Sequence, residues 1–218
     1  MTDLAHSATR RRASFGGWLI ADRQRVQTVV TLFVLVLMVV VFGLINGRFF
    51  TVTNFQNLAR NTAPLIISAC AMTAVMVARG LDLSVGSVLA ASSVVAASLA
   101  VKGVPLPLAF LGGLVFGGLI GFANGWIIVR MRVSPIIVTL GSLNIARGIA
   151  YLITPSAILV GLPPRWSDIG TSNLGPFPVP ILIALAVVAV YAWISRRTKF
   201  GKHIYAVGGN EEAARLSG

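Results

Sequence analysis

Residues 26–45 form a run of twenty with no charged side chain, dominated by Val, Leu and Phe. A helix needs about 20 apolar residues to cross the hydrocarbon core of a bilayer, so this run alone constrains what the chain can fold into. Five more runs follow, at 62–78, 83–101, 106–129, 133–153 and 178–194, the fifth of the six interrupted only by Arg147. Composition agrees: 56% of the 218 residues are hydrophobic and 11% are charged, against about 25% charged in an ordinary soluble domain. The expectation is an all-α, polytopic membrane helical bundle with about six transmembrane helices. Residues 1–25 form a basic N-terminal tail, 26–195 the membrane domain and 196–218 a cytoplasmic segment. Arg10, Arg11, Arg12, Arg23 and Arg25 make a poor signal-peptide start, so the first run is read as a retained helix.

The net charge of +12 would suggest nucleic acid in a soluble protein. In a membrane protein, basic residues first orient loops. With the N-terminus inside, thirteen Lys and Arg fall on the inner side. The outer side holds only Arg48, Arg60, Lys102, Arg147 and Arg165 of the 18. That asymmetry predicts both ends of the chain in the cytoplasm and accounts for the charge through topology and anionic lipid. No nucleic-acid partner is needed. The longest outer connection, 154–177, is rich in proline and is predicted as an extended, ordered loop.

The fourth run places Gly113, Gly117, Gly121 and Gly125 at a spacing of four, which puts them on one helix face. Such faces let membrane helices approach closely, and the Ala- and Ser-rich third run is the expected partner. The other reading is a ligand pathway along the glycines.

No phosphate-binding G-x-x-x-x-G-K-[ST] loop occurs, so the chain itself is not expected to bind ATP. His6 and His203 have no Cys or carboxylate at ligand spacing, and Cys70 lies alone in an apolar run, so neither a metal nor another cofactor is predicted. Catalytic pairs are likewise missing, and the chain is not read as an enzyme. Four polar positions within or beside the runs invite two readings each. Asp82, with Ser84, is an N-cap of the third helix or an orienting group for a solute at the inner mouth. Arg147 is a snorkelling structural residue or a solute ligand. Asn124 and Asn144 are interhelix hydrogen-bonding groups or pathway residues.

The C-terminal stretch carries the sharpest pattern. Gly208 and Gly209 are expected to break the chain, Asn210 to cap a new helix, and Glu211 and Glu212 to sit in its first turn, where the helix dipole favours carboxylates. Taken alone, this is a cytoplasmic linker helix. Glu212-Ala213-Ala214, three residues and then Gly218 resemble the E-A-A-x-x-x-G pattern of permease subunits of bacterial binding-protein-dependent ABC importers. The run from Lys199 to Gly218, and Gly80-Leu81-Asp82-Leu83-Ser84-Val85-Gly86-Ser87, are similar to the ribose, xylose and arabinose branch of that family.

This resemblance implies import of a monosaccharide across a bacterial inner membrane. It implies a separate ATP-binding subunit docked on the C-terminal helix, an external solute-binding protein and a second permease subunit, identical or related. It also implies about four further spans beyond Gly218, so that the chain stops inside the coupling region. Carriers of branched-chain amino acids or nucleosides are sister possibilities. An ion-coupled transporter would need carboxylates inside the spans, where only Asp82, at an edge, is available. A membrane anchor without transport would leave the C-terminal pattern without a role.

Overall fold

The computed structural model describes residues 6–155 and 159–217, with side chains from Arg25 onward. Residues 1–5 of the basic tail, the side chains of the tail up to residue 24, and Gly218 lie outside what is described. Two units divide the chain at Phe55 and Gln56.

In the first unit, α1 spans His6–Ile45 and continues the first apolar run backward through the basic segment. From Arg25 to Ile45 every residue except Gly43 is exposed, as suits a helix whose solvent is lipid. Beyond it, Phe49 stacks on Phe42 with ring centroids 6.3 Å apart and meets Phe50 edge-on at 5.0 Å. The ring of Phe50 lies where a side chain at Gly43 would stand. Helix α2, Val52–Val77, starts at the end of this unit, with the Asn54 N–H donating to the Thr51 hydroxyl at 3.3 Å.

The second unit carries the rest of α2 and then α3 (Val85–Val101), α4 (Leu106–Met131) and α5 (Pro135–Ile153). A 3-10 turn at Pro164–Ser167, a short helix α6 at Asp168–Thr171 and the strands β1 (Asn173–Leu174) and β2 (Phe177–Pro178) follow. The strands pair antiparallel, Asn173 opposite Pro178, so the proline-rich connection folds into a small ribbon rather than staying extended. Helices α7 (Val179–Arg197), α8 (Lys199–Gly209) and α9 (Glu211–Leu216) complete the chain.

Among the described residues five helices are long and apolar enough to span a membrane: α1, α2, α4, α5 and α7. Helix α3 is apolar but has only 17 residues. It is shorter than its run because Leu83 and Ser84 belong to the turn that starts it. Helix α2 begins ten residues before its apolar run. Arg60, which precedes that run in the sequence, lies inside the helix: its Nη1 donates to Asn57 Oδ1 and its Nη2 to the Thr171 carbonyl and Asn173 Oδ1 at 2.8–3.0 Å, while its buried Nε has no partner among the described residues.

Helices α3, α4 and α5 form the packed centre. Every buried hydrophobic residue among those described is an alanine, and the largest fully buried side chains are Thr139 and Ser84. Lipid tails are as apolar as leucine, so burying leucine brings no gain; close backbone approach and hydrogen bonds hold the helices instead. Large hydrophobic side chains such as Leu114, Leu119 and Phe122 point outward.

Candidate functional site

The turn before α3 is the most polar part of this centre. Ser84 occupies the cap position of α3. Asp82, expected at that position, stands two residues earlier, and its Oδ1 accepts both the Ser84 N–H at 2.8 Å and the Ser84 hydroxyl at 2.6 Å. The carboxylate thus satisfies a free donor at the helix start from two residues before the cap position. Ser84 is 1% exposed, and its hydroxyl oxygen accepts from the Asn124 amide of α4 at 3.3 Å. That amide also donates to the Ser142 hydroxyl of α5 at 3.0 Å. Thr139 of α5 donates chiefly to the Pro135 carbonyl at 2.8 Å and lies 3.4 Å from the Leu81 carbonyl. One buried asparagine therefore ties α4 to α5 and to the turn that starts α3.

Asn144 does not join this network. It is exposed, and its amide donates to the Leu140 carbonyl of its own helix at 2.9 Å, because it stands on the opposite side of α5 from Ser142. Ser142 was not singled out in the sequence; its spacing of three from Thr139 on α5 was the signal available.

Arg147 lines a groove of about 780 Å³ between α3, α5 and the connection that follows α5. Leu83, Ser87, Ser93, Tyr151 and Trp166 share its wall. Trp166 is held from behind by Phe110 of α4, stacked at 4.9 Å. The groove combines one guanidinium, hydroxyls and aromatic edges on an apolar bed, a surface able to hold a small polar solute by hydrogen bonds and ring contacts. Asp82, Ser84, Asn124 and Asn144 are not part of its wall.

The glycine face of α4 divides in two. A Cβ on Gly113 would come within 2.6 Å of the Ser92 carbonyl oxygen, and one on Gly117 within 2.8 Å of the Ser92 hydroxyl. At Gly121 and Gly125 a Cβ would meet nothing within 4 Å. The four residues share a face, but α3 crosses only its first half.

At the C-terminal end, Gly208 and Gly209 lie inside α8 and do not break the chain. The break falls at Asn210, whose extended backbone (φ −155°, ψ 107°) separates α8 from α9 and whose side chain accepts the Ala213 N–H at 3.1 Å. Glu211 and Glu212 occupy the first turn of α9, and Ala213 and Ala214 follow. Gly208 is where α8 meets α2: a side chain there would coincide with the Val77 carbonyl oxygen. The missing side chain at Gly208, read with Gly209 as a break, instead serves this approach; a Cβ at Gly209 would meet nothing within 4 Å. Among the described residues no three metal-ligating side chains come together.

Residues 54–218 match the family model described as branched-chain amino acid transport system / permease component. A ribose import permease protein of Haemophilus influenzae is 38% identical over 84% of this chain and 58% of its own length. A D-allose transport system permease protein of Escherichia coli is 34% identical over 86% and 58%. An L-arabinose ABC transporter permease protein of Azospirillum brasilense is 31% identical over 95% and 60%. The chain spans about three-fifths of the length of these relatives. No solved structure matches it.

Proposed function

The chain belongs to the permease-component family of the branched-chain amino acid transport system, and from that premise we propose that it is the membrane permease of a bacterial ABC importer for a monosaccharide. The observation that carries this reading is the short capped helix α9, with Glu211 and Glu212 in its first turn, joined through α8 to the last membrane helix α7. Such a helix presents a rigid, exposed surface to a separate ATPase. Sugars named for the relatives, ribose, allose and arabinose, support a monosaccharide as solute.

Six spans fit this reading, with α3 as a short sixth: 17 residues rise about 26 Å, near the lower limit for crossing. The N-terminus lies in the cytoplasm, as the placement of basic residues favours. Arg60 pairs with the 171–173 segment, expected outside, and Arg79 with Gly209, expected inside, so each side keeps its own loops. Residues 196–218, Gly218 included, form the surface for the ATP-binding subunit. An external solute-binding protein delivers the sugar, and a second permease subunit completes the pathway. Arg147 and the groove beside it supply part of the solute route. Asp82, Ser84 and Asn124 hold its inner end in shape, and no bond in the solute is broken.

The test is to place an arginine on the exposed face of α9, Ala213→Arg, with Gly218→Arg in parallel, in the protein co-expressed with its ATPase. Membrane insertion is unchanged, because both positions lie outside every span. ATP-driven sugar uptake and co-purification of the ATPase fall by about ten-fold or more, as expected when a bulky charge is forced into the centre of an interface. Normal uptake and normal ATPase binding in both variants would reduce α9 to a linker.

A further inference from the structure

Helix α2 is fastened at both ends to the segments that flank α7. At its N-terminal end, Arg60 Nη2 donates to the Thr171 carbonyl at 3.0 Å and to Asn173 Oδ1 at 2.8 Å, and the Gln56 amide donates to the Pro176 carbonyl at 3.1 Å. All three acceptors lie in the short stretch that leads into α7. At its C-terminal end, the carbonyl of Val77 lies against Gly208 of α8, which follows α7, with no room for a side chain between them. Next to this contact Arg79 Nη2 donates to the Gly209 carbonyl at 2.8 Å.

The backbone at Arg79 marks this second joint as more than a chance contact. Arg79 adopts φ 61°, a left-handed conformation that closes helices and usually falls to glycine. The Gly80 N–H returns to the Val75 carbonyl at 2.8 Å and completes the turn. A glycine at position 79 would take this conformation without strain. Arginine gives up that ease, and its guanidinium reaches α8. From Arg60 to Val77 the two joints are separated by about 26 Å along the helix, close to the thickness of the hydrocarbon core.

We infer that α2 is a strut: Arg79 and Gly208 at one end, and Arg60 with Gln56 at the other, link the position of α8–α9 to that of the 171–176 segment and the ribbon it enters. These are positioning residues and none need touch solute. If the importer reading holds, on which this functional meaning rests, the strut carries ATPase-driven movement of the coupling segment to the face where solute is delivered. The route runs beside the α3–α4–α5 centre and does not pass through the Asn124 network.

Amide hydrogen exchange on the protein in lipid nanodiscs tests the strut without ATPase, solute or transport. Gly208→Val drives a side chain into the Val77 carbonyl, and Arg79→Gly relaxes the turn while removing the guanidinium. Each raises exchange in residues 171–179 by about three-fold or more, because loosening one end lowers the opening free energy at the other. Arg79→Lys, which keeps a cationic donor, recovers most of the protection. Arg60→Gln produces the reciprocal rise in residues 206–210. Gly209→Ala, where a Cβ meets nothing within 4 Å, leaves the ribbon unchanged. Should Gly208→Val fail to fold, Arg79→Gly decides, since it relieves backbone strain. Changes confined to residues 199–217 in both variants would overturn the strut. Loss of uptake on α9 substitution with no long-range exchange effect would sink the strut and leave the importer standing; the converse pattern would do the opposite.

Discussion

Helices α3, α4 and α5 are joined along their lengths, whereas the hydrogen bonds that tie α2 to the segments around α7 fall at its two ends. The first group buries Ala, Ser, Gly, Thr and Asn continuously: Ala91, Ala96 and Ala100 on α3, Ala109 and Gly113 on α4, Ala146 on α5. At the crossing of α3 and α4 a single added methyl group would meet backbone. The second group is held by guanidinium and amide donors on carbonyls and by one glycine contact. A length-wise seam of small residues fixes both separation and angle. Joints at its two ends fix the line of α2 relative to the segments they hold.

The largest effect separating the two should come from the seam. Gly113→Leu places a side chain against the Ser92 carbonyl, and overpacking of this kind costs about 1–3 kcal/mol, seen as a drop in thermal stability in detergent. Gly121→Leu, on the same face but facing open space, should change stability by less than about 0.5 kcal/mol. Equal losses at the two positions would mean that the seam extends along the whole glycine face and that the division described above is wrong.

A smaller effect is expected from Asn124. Asn124→Leu removes the donors to Ser84 and Ser142, and interhelix hydrogen bonds in membranes contribute about 0.6 kcal/mol on average and up to about 1.7. A loss near 1 kcal/mol in a detergent-unfolding titration is the expected outcome. A double-mutant cycle with Ser142→Ala should show coupling. Additive losses would show that the buried asparagine fills space rather than tying helices.

The smallest effect on the whole protein should come from the far end of the jointed part. Asn210→Ala removes the acceptor for the Ala213 N–H, a cap of about 1 kcal/mol, yet the overall melting temperature should not move. Amide exchange at Ala213 and Ala214 should rise about five-fold, with Asn210→Asp protecting them as the wild type does. A shift in global melting would show that α9 is part of the packed body and not an appended element.

The sequence by itself determined the helical membrane character, the Asn210 cap and the positions of most apolar helices. Each of these follows from local chemistry: a long run without charge, a side-chain acceptor before a helix-forming stretch. Residues 80–87 and 212–218 also carried the family resemblance. Tertiary structure decided what local chemistry left open. Arg60 reads as a boundary until the 171–173 segment supplies its acceptors, and α2 then extends ten residues further. Gly208 and Gly209 read as a break, because glycine is a poor helix former in isolation. The nearness of the α2 terminus makes a residue without a side chain the one that fits at Gly208. Asn124 and Asn144 look alike in sequence, each an amide in an apolar helix. Only the crossing of α3, α4 and α5 places the first among Ser84 and Ser142 and leaves the second outside. The physical reason is common to all three: a helix satisfies its own backbone from sequence-local partners, but a side chain donor or a missing Cβ acquires meaning only from what another helix brings within a few ångströms.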